Sequence, residues 1–346
     1  LRHWALIITA VVILIVAGLV LFLMRLQSEL ETPYYGAAGP ETFVQIHRGM
    51  NTTQIAELLE SSGLLRSRLP FLMYVRYRRM GHRIQAGEYH FTGPDTPRRI
   101  ARRLIRGDVY FNSITVPEGL TARETFELLA RNGLGDSSEM EKLFLRTDWI
   151  RDLDPAAQNL EGYLFPETYR FGRDADSPSI LKAMIGQFSK RFTEILETHP
   201  PEPGWDVRRV VILASMIEKE VREKEEGPLV SSVLINRLER GIPLSCDATI
   251  LYAMKIAGTY DGNLSKSDLK MDSPYNTYLH LNLPPGPICN PGADSLRAAL
   301  KPARTHYLYY VSRNDGTHHF SKDLQSHTRA VNKYQKSLSR HGGTTN

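Results

Sequence analysis

Residues Trp4 to Met24 form 21 consecutive positions without a charged side chain, mostly Val, Ile, Leu and Ala. At about 1.5 Å rise per residue, a helix of that length matches a hydrocarbon core roughly 30 Å thick. Arg2 and Arg25 bracket the run, and Trp4 sits where an interfacial aromatic is favoured. The rival reading is a cleaved signal peptide. Its apolar core is shorter, about 7–15 residues, and a small-residue cleavage site follows it. Here Arg25-Leu26-Gln27-Ser28-Glu29 follows, with no A-x-A pattern. The expectation is a retained single-pass anchor, with residues 1–25 as tip and span. So little precedes the span that nearly all the mass is expected on the extracytoplasmic side.

Beyond the span the chain reads as folded. Hydrophobic residues make up 42% and charged residues 23%, which excludes a disordered or collagen-like chain. Two cysteines exclude a disulfide-scaffold protein and a four-cysteine zinc site. Residues 26–41 are polar, with Pro and small residues, and are expected to form a linker. A repeat follows: residues 43–64 and 113–134 align without a gap, sharing Gly49/Gly119, Glu57/Glu127, Leu58/Leu128, Leu59/Leu129, Gly63/Gly133 and Leu64/Leu134. Each copy predicts a short strand, a Gly turn, an amphipathic helix and a closing Gly. Thr52 or Thr53, and Thr121, are the expected N-caps. Residues 81–91 alternate and turn at Ala86-Gly87, predicting a strand pair that returns to the first copy. Residues 42–110 would then be a small βααβ module. That pattern resembles LysM-type modules, which bind N-acetylglucosamine-containing glycans; a packing or spacer role is the plain alternative.

Residues 60–108 hold eleven arginines against four acids. Nucleic acid is a poor partner for an exported, anchored protein. Arg98, Arg99, Arg102, Arg103 and Arg106 recur at helical spacing around Ile100, Leu104 and Ile105. This is first a solvated helix face, and secondarily a surface for anionic headgroups.

The chemistry lies further on. In Val210–Val221, the residues Val210, Leu213, Ala214, Ile217 and Val221 form one apolar stripe. Glu218 and Glu220 fall about 80° to either side of it at 100° per residue. Glu218 follows Ala214 and Ser215 and has Arg222 at i+4, so it is expected to stay ionised in a structural role. Glu220 follows Met216 and Ile217, an apolar wall that would raise its pKa as a general acid requires. Lys224 at i+4 would oppose this if it turned inward. Glu220 is the preferred catalytic residue and Glu218 the alternate. Tyr163, Tyr169, Tyr275 and Tyr278 could stack on pyranose rings, Asn276 could read an N-acetyl amide, and Asp247 is either a helix N-cap or a groove wall. Each also has a plain structural reading. His306, His318, His319 and His327 lie around a strand–turn–strand (307–321) without tight metal-ligand spacing, so no metal is expected. No G-x-S-x-G, P-loop or Rossmann glycine pattern occurs, and no cofactor is expected. Cys246 and Cys289 could pair in an oxidising compartment.

Several motifs occur in one order: Glu161–Tyr169 (EGYLFPETY), Ala214–Glu220 (ASMIEKE), Val233–Leu238 (VLINRL), Asp247–Tyr252, Tyr275–Tyr278 (YNTY), Leu283–Gly286 (LPPG) and Asn290–Leu296 (NPGADSL). Together they resemble the YceG-like family of membrane-anchored endolytic murein transglycosylases. The resemblance implies an α+β protein: a single N-terminal transmembrane helix, a small LysM-like βααβ module and a larger mixed α/β catalytic domain over 111–346 (lead-in 111–160, core 161–330). It implies a lytic cut between N-acetylmuramic acid and N-acetylglucosamine in peptidoglycan glycan strands. The muramyl 6-hydroxyl would close on C1 to leave a 1,6-anhydro end, with one glutamate acting as acid and then base. It places that glutamate at Glu220, sets the anchor in the cytoplasmic (inner) membrane with the catalytic domain on the periplasmic side, and suggests membrane-bound peptidoglycan synthases as partners. Alternatives are a lysozyme-like hydrolase of the same bond and a non-catalytic wall-binding protein.

Overall fold

Helix α1 (Arg2–Glu31) leaves its apolar side chains from Leu6 to Met24 exposed, Leu6 at 68% and Leu14 at 72%, and is long and apolar enough to cross a membrane. In this computed structural model, residues 2–34, 36, 41–173 and 175–336 are described. The helix does not end at Arg25. Leu26 to Glu31 contain no Gly or Pro, and the helix continues through them until Pro33 approaches. Leu30 is buried and Glu31 pairs with Arg98 at 2.6 Å. The expected linker is therefore shorter at its start, and its residues 35 and 37–40 lie outside the described residues.

The chain divides into two units, Leu1–Asn112 and Ser113–Asn346. The first continues with β1 (Thr42–Ile46), α2 (Thr52–Ser61), α3 (Arg68–Tyr77), β2 (Gly87–Phe91) and α4 (Pro97–Arg106). β1 and β2 pair antiparallel, Thr42 opposite Phe91 and Ile46 opposite Gly87. Val44, Ile46, Tyr89 and Phe91 alternate inward and meet Ile55, Leu59, Phe71, Ile100 and Leu104 in one core. Two local expectations change. Asn51, not Thr52 or Thr53, caps α2: its side chain accepts from the Gln54 amide while the Gln54 side chain accepts from the Asn51 amide. Residues 81–91 supply one strand rather than two, because Gly81–Arg83 close a 3₁₀ turn. The α4 arginines are partly engaged: besides Arg98, Arg103 donates to the His90 carbonyl and Arg106 pairs with Asp108.

The second unit begins with β3 (Asn112–Thr115), whose first residue falls at the division between the units, then α5 (Ala122–Arg131), α6 (Ser137–Leu143) and β4 (Thr168–Phe171), which pairs with β3. Thr121 caps α5 in a reciprocal box with Glu124, as the repeat predicted. Next come α7 (Ser177–Thr198), α8 (Val207–Glu220), α9 (Gly227–Glu239), α10 (Asp247–Ala257), α11 (Ala293–Leu300), β5 (Tyr309–Ser312), β6 (His318–Ser321) and α12 (Leu324–Val331). β5 and β6 form an antiparallel hairpin with Tyr310 opposite Phe320. α8 is the central element. All residues from Val210 to Ile217 are buried, because α9, α10 and α11 each pack against it. The single apolar stripe expected from periodicity is thus a helix enclosed on several sides.

Candidate active site

α8 delivers two carboxylates at its C-terminal end. Residues two apart on a helix diverge by about 200° and reach different surroundings. Glu218 turns toward α11. Its Oε2 accepts from the Gly292 amide at 2.9 Å and from the Ser295 hydroxyl at 2.6 Å, so it serves the free amide end of that helix. Burial pushes its carboxyl above the ordinary range, against the pull of those two donors. Its environment is the buried α8–α11 contact.

Glu220 turns the other way, into a cleft of about 290 Å³ lined by Arg237, Asp247, Tyr278, Tyr310 and His327 with Val233, Leu234, Leu244 and Ser245. The Cys246 thiol donates to Glu220 Oε1 at 2.9 Å, and the Tyr310 phenol lines the cleft beside the same carboxylate. The anticipated wall of Met216 and Ile217 lies in the core. What stands beside the carboxylate instead is a thiol and a phenol. Both have pKa values raised by burial first and by the Glu220 charge second, so both stay protonated donors near neutral pH. Lys224 faces elsewhere: its ammonium pairs with Asp294 at 2.8 Å and Glu118 at 3.2 Å.

The rest of the cleft wall is held by loop chemistry. Ser245 has a left-handed backbone (φ 51), which is disfavoured for a residue with a Cβ. It is kept there by Thr277, whose carbonyl accepts from the Ser245 amide and whose hydroxyl accepts from the Cys246 amide, each at 3.0 Å. This clamp aims the thiol at Glu220. The Arg237 guanidinium donates to the carbonyls of Leu308, Pro243 and Leu244, tying α9 to the residue before β5 and to the loop before α10.

The residues singled out in the sequence separate by burial. Asp247 and Tyr278 line the cleft and bond to each other, the phenol donating to Asp247 Oδ1. Tyr275 packs against Tyr252 with ring centroids 4.9 Å apart and is not part of this wall. Asn276 is fully buried. Its Nδ2 donates to the carbonyls of Leu269 and Met271 and its Oδ1 accepts from the Tyr278 amide, so its amide shapes the loop rather than reading a sugar. Tyr163 is also fully buried, donating to Asp154, which pairs with Arg208. Tyr169 is buried and donates to the Phe165 carbonyl. Cys246 and Cys289 are free thiols: the first serves Glu220 and the second donates to the Ser215 carbonyl, so the expected pairing is absent. His318 pairs with Glu226 at 2.7 Å. Among the described residues no group of three or more His, Cys, Asp or Glu could hold a metal. Sequence reasoning did not single out Tyr310, Arg237 or Cys246 as neighbours of Glu220. Arg237 sits within the VLINRL motif, but nothing local marks Tyr310.

A second hollow, of about 350 Å³, lies among α5, α6 and α10. Its carboxylates are engaged: Glu124 pairs with Lys255, Glu141 with Arg123, and Glu161 is buried. Glu161 accepts from the Ala122 amide and the Tyr252 hydroxyl, and burial lifts its pKa to about 8. From the carboxyl's ordinary 4.5 up to about 8 the folded chain keeps a proton that the unfolded chain has released. Stability should therefore fall as pH rises through that window, by about 1.4 kcal/mol per unit. Glu161→Gln is expected to flatten this slope in thermal melts between pH 5 and 8; equal slopes for the two proteins would mean Glu161 is ionised in the fold.

The profile of the YceG-like family matches residues 44–333. The chain belongs to the YceG-like family. An endolytic murein transglycosylase of Bacillus subtilis is 33% identical over 307 residues, which cover 84% of each chain. One from Streptococcus pneumoniae is 26% identical over 85% of this chain and 58% of its own length. The crystal structure of a yceG-like protein from Listeria monocytogenes superposes with a TM-score of 0.56 at 27% identity, covering 84% of this chain and 98% of that one. In this YceG-like chain the matched span includes α8, both glutamates and every residue named at the cleft.

Proposed function

We propose that this chain is an endolytic lytic transglycosylase of peptidoglycan, with Glu220 as its acid and then its base. One observation carries the assignment within the α8 pair: Glu220 opens into a cleft with the Cys246 thiol donating to its carboxylate, whereas Glu218 is committed to α11. Glu220 donates its proton to the glycosidic oxygen as positive charge develops at C1. The Cys246 thiol can donate to the carboxylate this step leaves behind. The carboxylate then takes the proton of the muramyl 6-hydroxyl as that oxygen closes on C1. Atoms balance without water, metal or cofactor, and the products are a 1,6-anhydro-muramyl end and a free sugar hydroxyl. The names of the relatives from Bacillus and Streptococcus support the substrate and the reaction class.

Asp247 in the same wall supports a second reading, hydrolysis by a two-carboxylate mechanism. Its engagement with the Tyr278 hydroxyl argues against a free base. Product ends separate the two readings. Full-length protein in detergent, given undigested glycan strands, is expected to yield 1,6-anhydro ends by mass spectrometry; reducing ends would establish the hydrolase.

The remaining architecture fits the same reading. α1 is the anchor, with the catalytic unit on the extracytoplasmic side. Residues 42–110 are a LysM-like module that engages glycan, and 111–346 are the catalytic domain. Membrane-bound synthases delivering nascent strands are the fitting partners for a membrane-tethered cutter.

A further inference from the structure

One side chain of the cleft has no task in the mechanism above. His327, on α12, lines the cleft with Glu220. Its ring stacks on Tyr309, centroids 5.1 Å apart at 23°, and Tyr309 lies under the Arg237 guanidinium at 5.1 Å. The ring is thus held by packing. Its Nδ1 is buried and has no hydrogen-bond partner. A sealed nitrogen without an acceptor is a costly place for a proton, so the proton belongs on Nε2. The charged form would need protons on both nitrogens. Burial, Arg237 and His319 all press against it. The ring is then a neutral group presenting one N–H, and with Nδ1 sealed, Nε2 is the ring nitrogen left to meet a ligand.

We propose that His327 is a substrate-binding residue of this cleft, its Nε2–H donating to the acetamido carbonyl of an N-acetylated sugar next to the reacting one. Sugar hydroxyls both donate and accept, so a group that only donates discriminates little among them. An amide carbonyl only accepts, and a fixed donor rewards it selectively. The inference rests on the cleft around Glu220 being the glycan site. Neutrality also suits the chemistry, because an imidazolium there would repel the positive charge growing at C1.

The test uses the full chain in detergent with three substitutions and two substrates: native glycan strands and strands chemically stripped of N-acetyl groups. His327→Phe keeps the ring stacked on Tyr309 but removes the donor. It is expected to lower kcat/KM on native strands about ten-fold, the effect of one well-placed hydrogen bond. Stripped strands should slow the wild type by a similar factor and His327→Phe no further. His327→Gln, which restores an N–H near the Nε2 position, should recover most of the loss. Wild-type kinetics for His327→Phe, or equal losses on both substrates, would overturn the proposal. Should His327→Phe melt early, His327→Gln carries the comparison, with wild-type discrimination between substrates expected and its loss overturning the assignment. Glu220→Gln is run alongside. Full turnover by that variant, with the His327 coupling intact, would sink the Glu220 assignment alone. An inert Glu220→Gln with wild-type His327→Phe would sink the His327 assignment alone.

Discussion

Glu220→Gln is expected to abolish strand cleavage, with a loss of at least about 10²–10⁴-fold, while the protein folds and binds strands as before. The magnitude follows from removing the group proposed to move the proton in both halves of the reaction. The fold should survive because the amide is nearly isosteric. Its oxygen can still accept from Cys246. Glu218→Gln is the matched control. It keeps an acceptor for the Gly292 amide and the Ser295 hydroxyl and should retain most activity. Anhydro-product yield from intact sacculi, read by mass spectrometry for both variants, decides between the two. A dead Glu218→Gln beside an active Glu220→Gln would transfer the catalytic role to the α11-facing carboxylate.

The second large effect concerns stability. Asn290 is buried, and its Oδ1 accepts from the amides of Gly162 and Leu164 at 3.0 Å each, while its Nδ2 donates to the Leu120 carbonyl. It joins the segment before α11 to the EGYLFPETY segment and to the turn before α5. Gly162 cannot shift to find other partners. Its φ is +89, and a Cβ there would meet Pro287 at 2.6 Å, so the backbone is already packed closely. Asn290→Ala would leave two buried N–H groups without acceptors, each costing about 1–3 kcal/mol, and a small void besides. A loss of about 3–5 kcal/mol is expected, or roughly 6–15 °C in the melting of the larger unit. Denaturant titration with a fixed m-value checks it. A loss below about 1 kcal/mol would mean that water or a loop shift satisfies those amides.

Features governed by short-range chemistry were legible in the sequence. The apolar run of 21 residues predicts α1, and Thr121 predicts the start of α5. Glycines at 49, 63, 119 and 133 take the left-handed backbone at matching points of the two repeat copies. The 307–321 segment forms the predicted hairpin. In each case the causing residues lie within a few positions of the effect. Helical spacing also indicated that Glu218 and Glu220 must diverge.

Where each carboxylate arrives was decided by tertiary packing. Tyr310 and Cys246 reach Glu220 from β5 and from the loop before α10, and α11 presents its amides to Glu218 from more than 70 residues away. Asn276 and Tyr163 have the composition of a sugar site, yet folding places them in the interior, where their polar atoms complete the loops around them. Residue type sets what a side chain can do. Only the enclosure around it, built from distant segments, determines whether that capacity is turned inward to satisfy the fold or outward to a ligand.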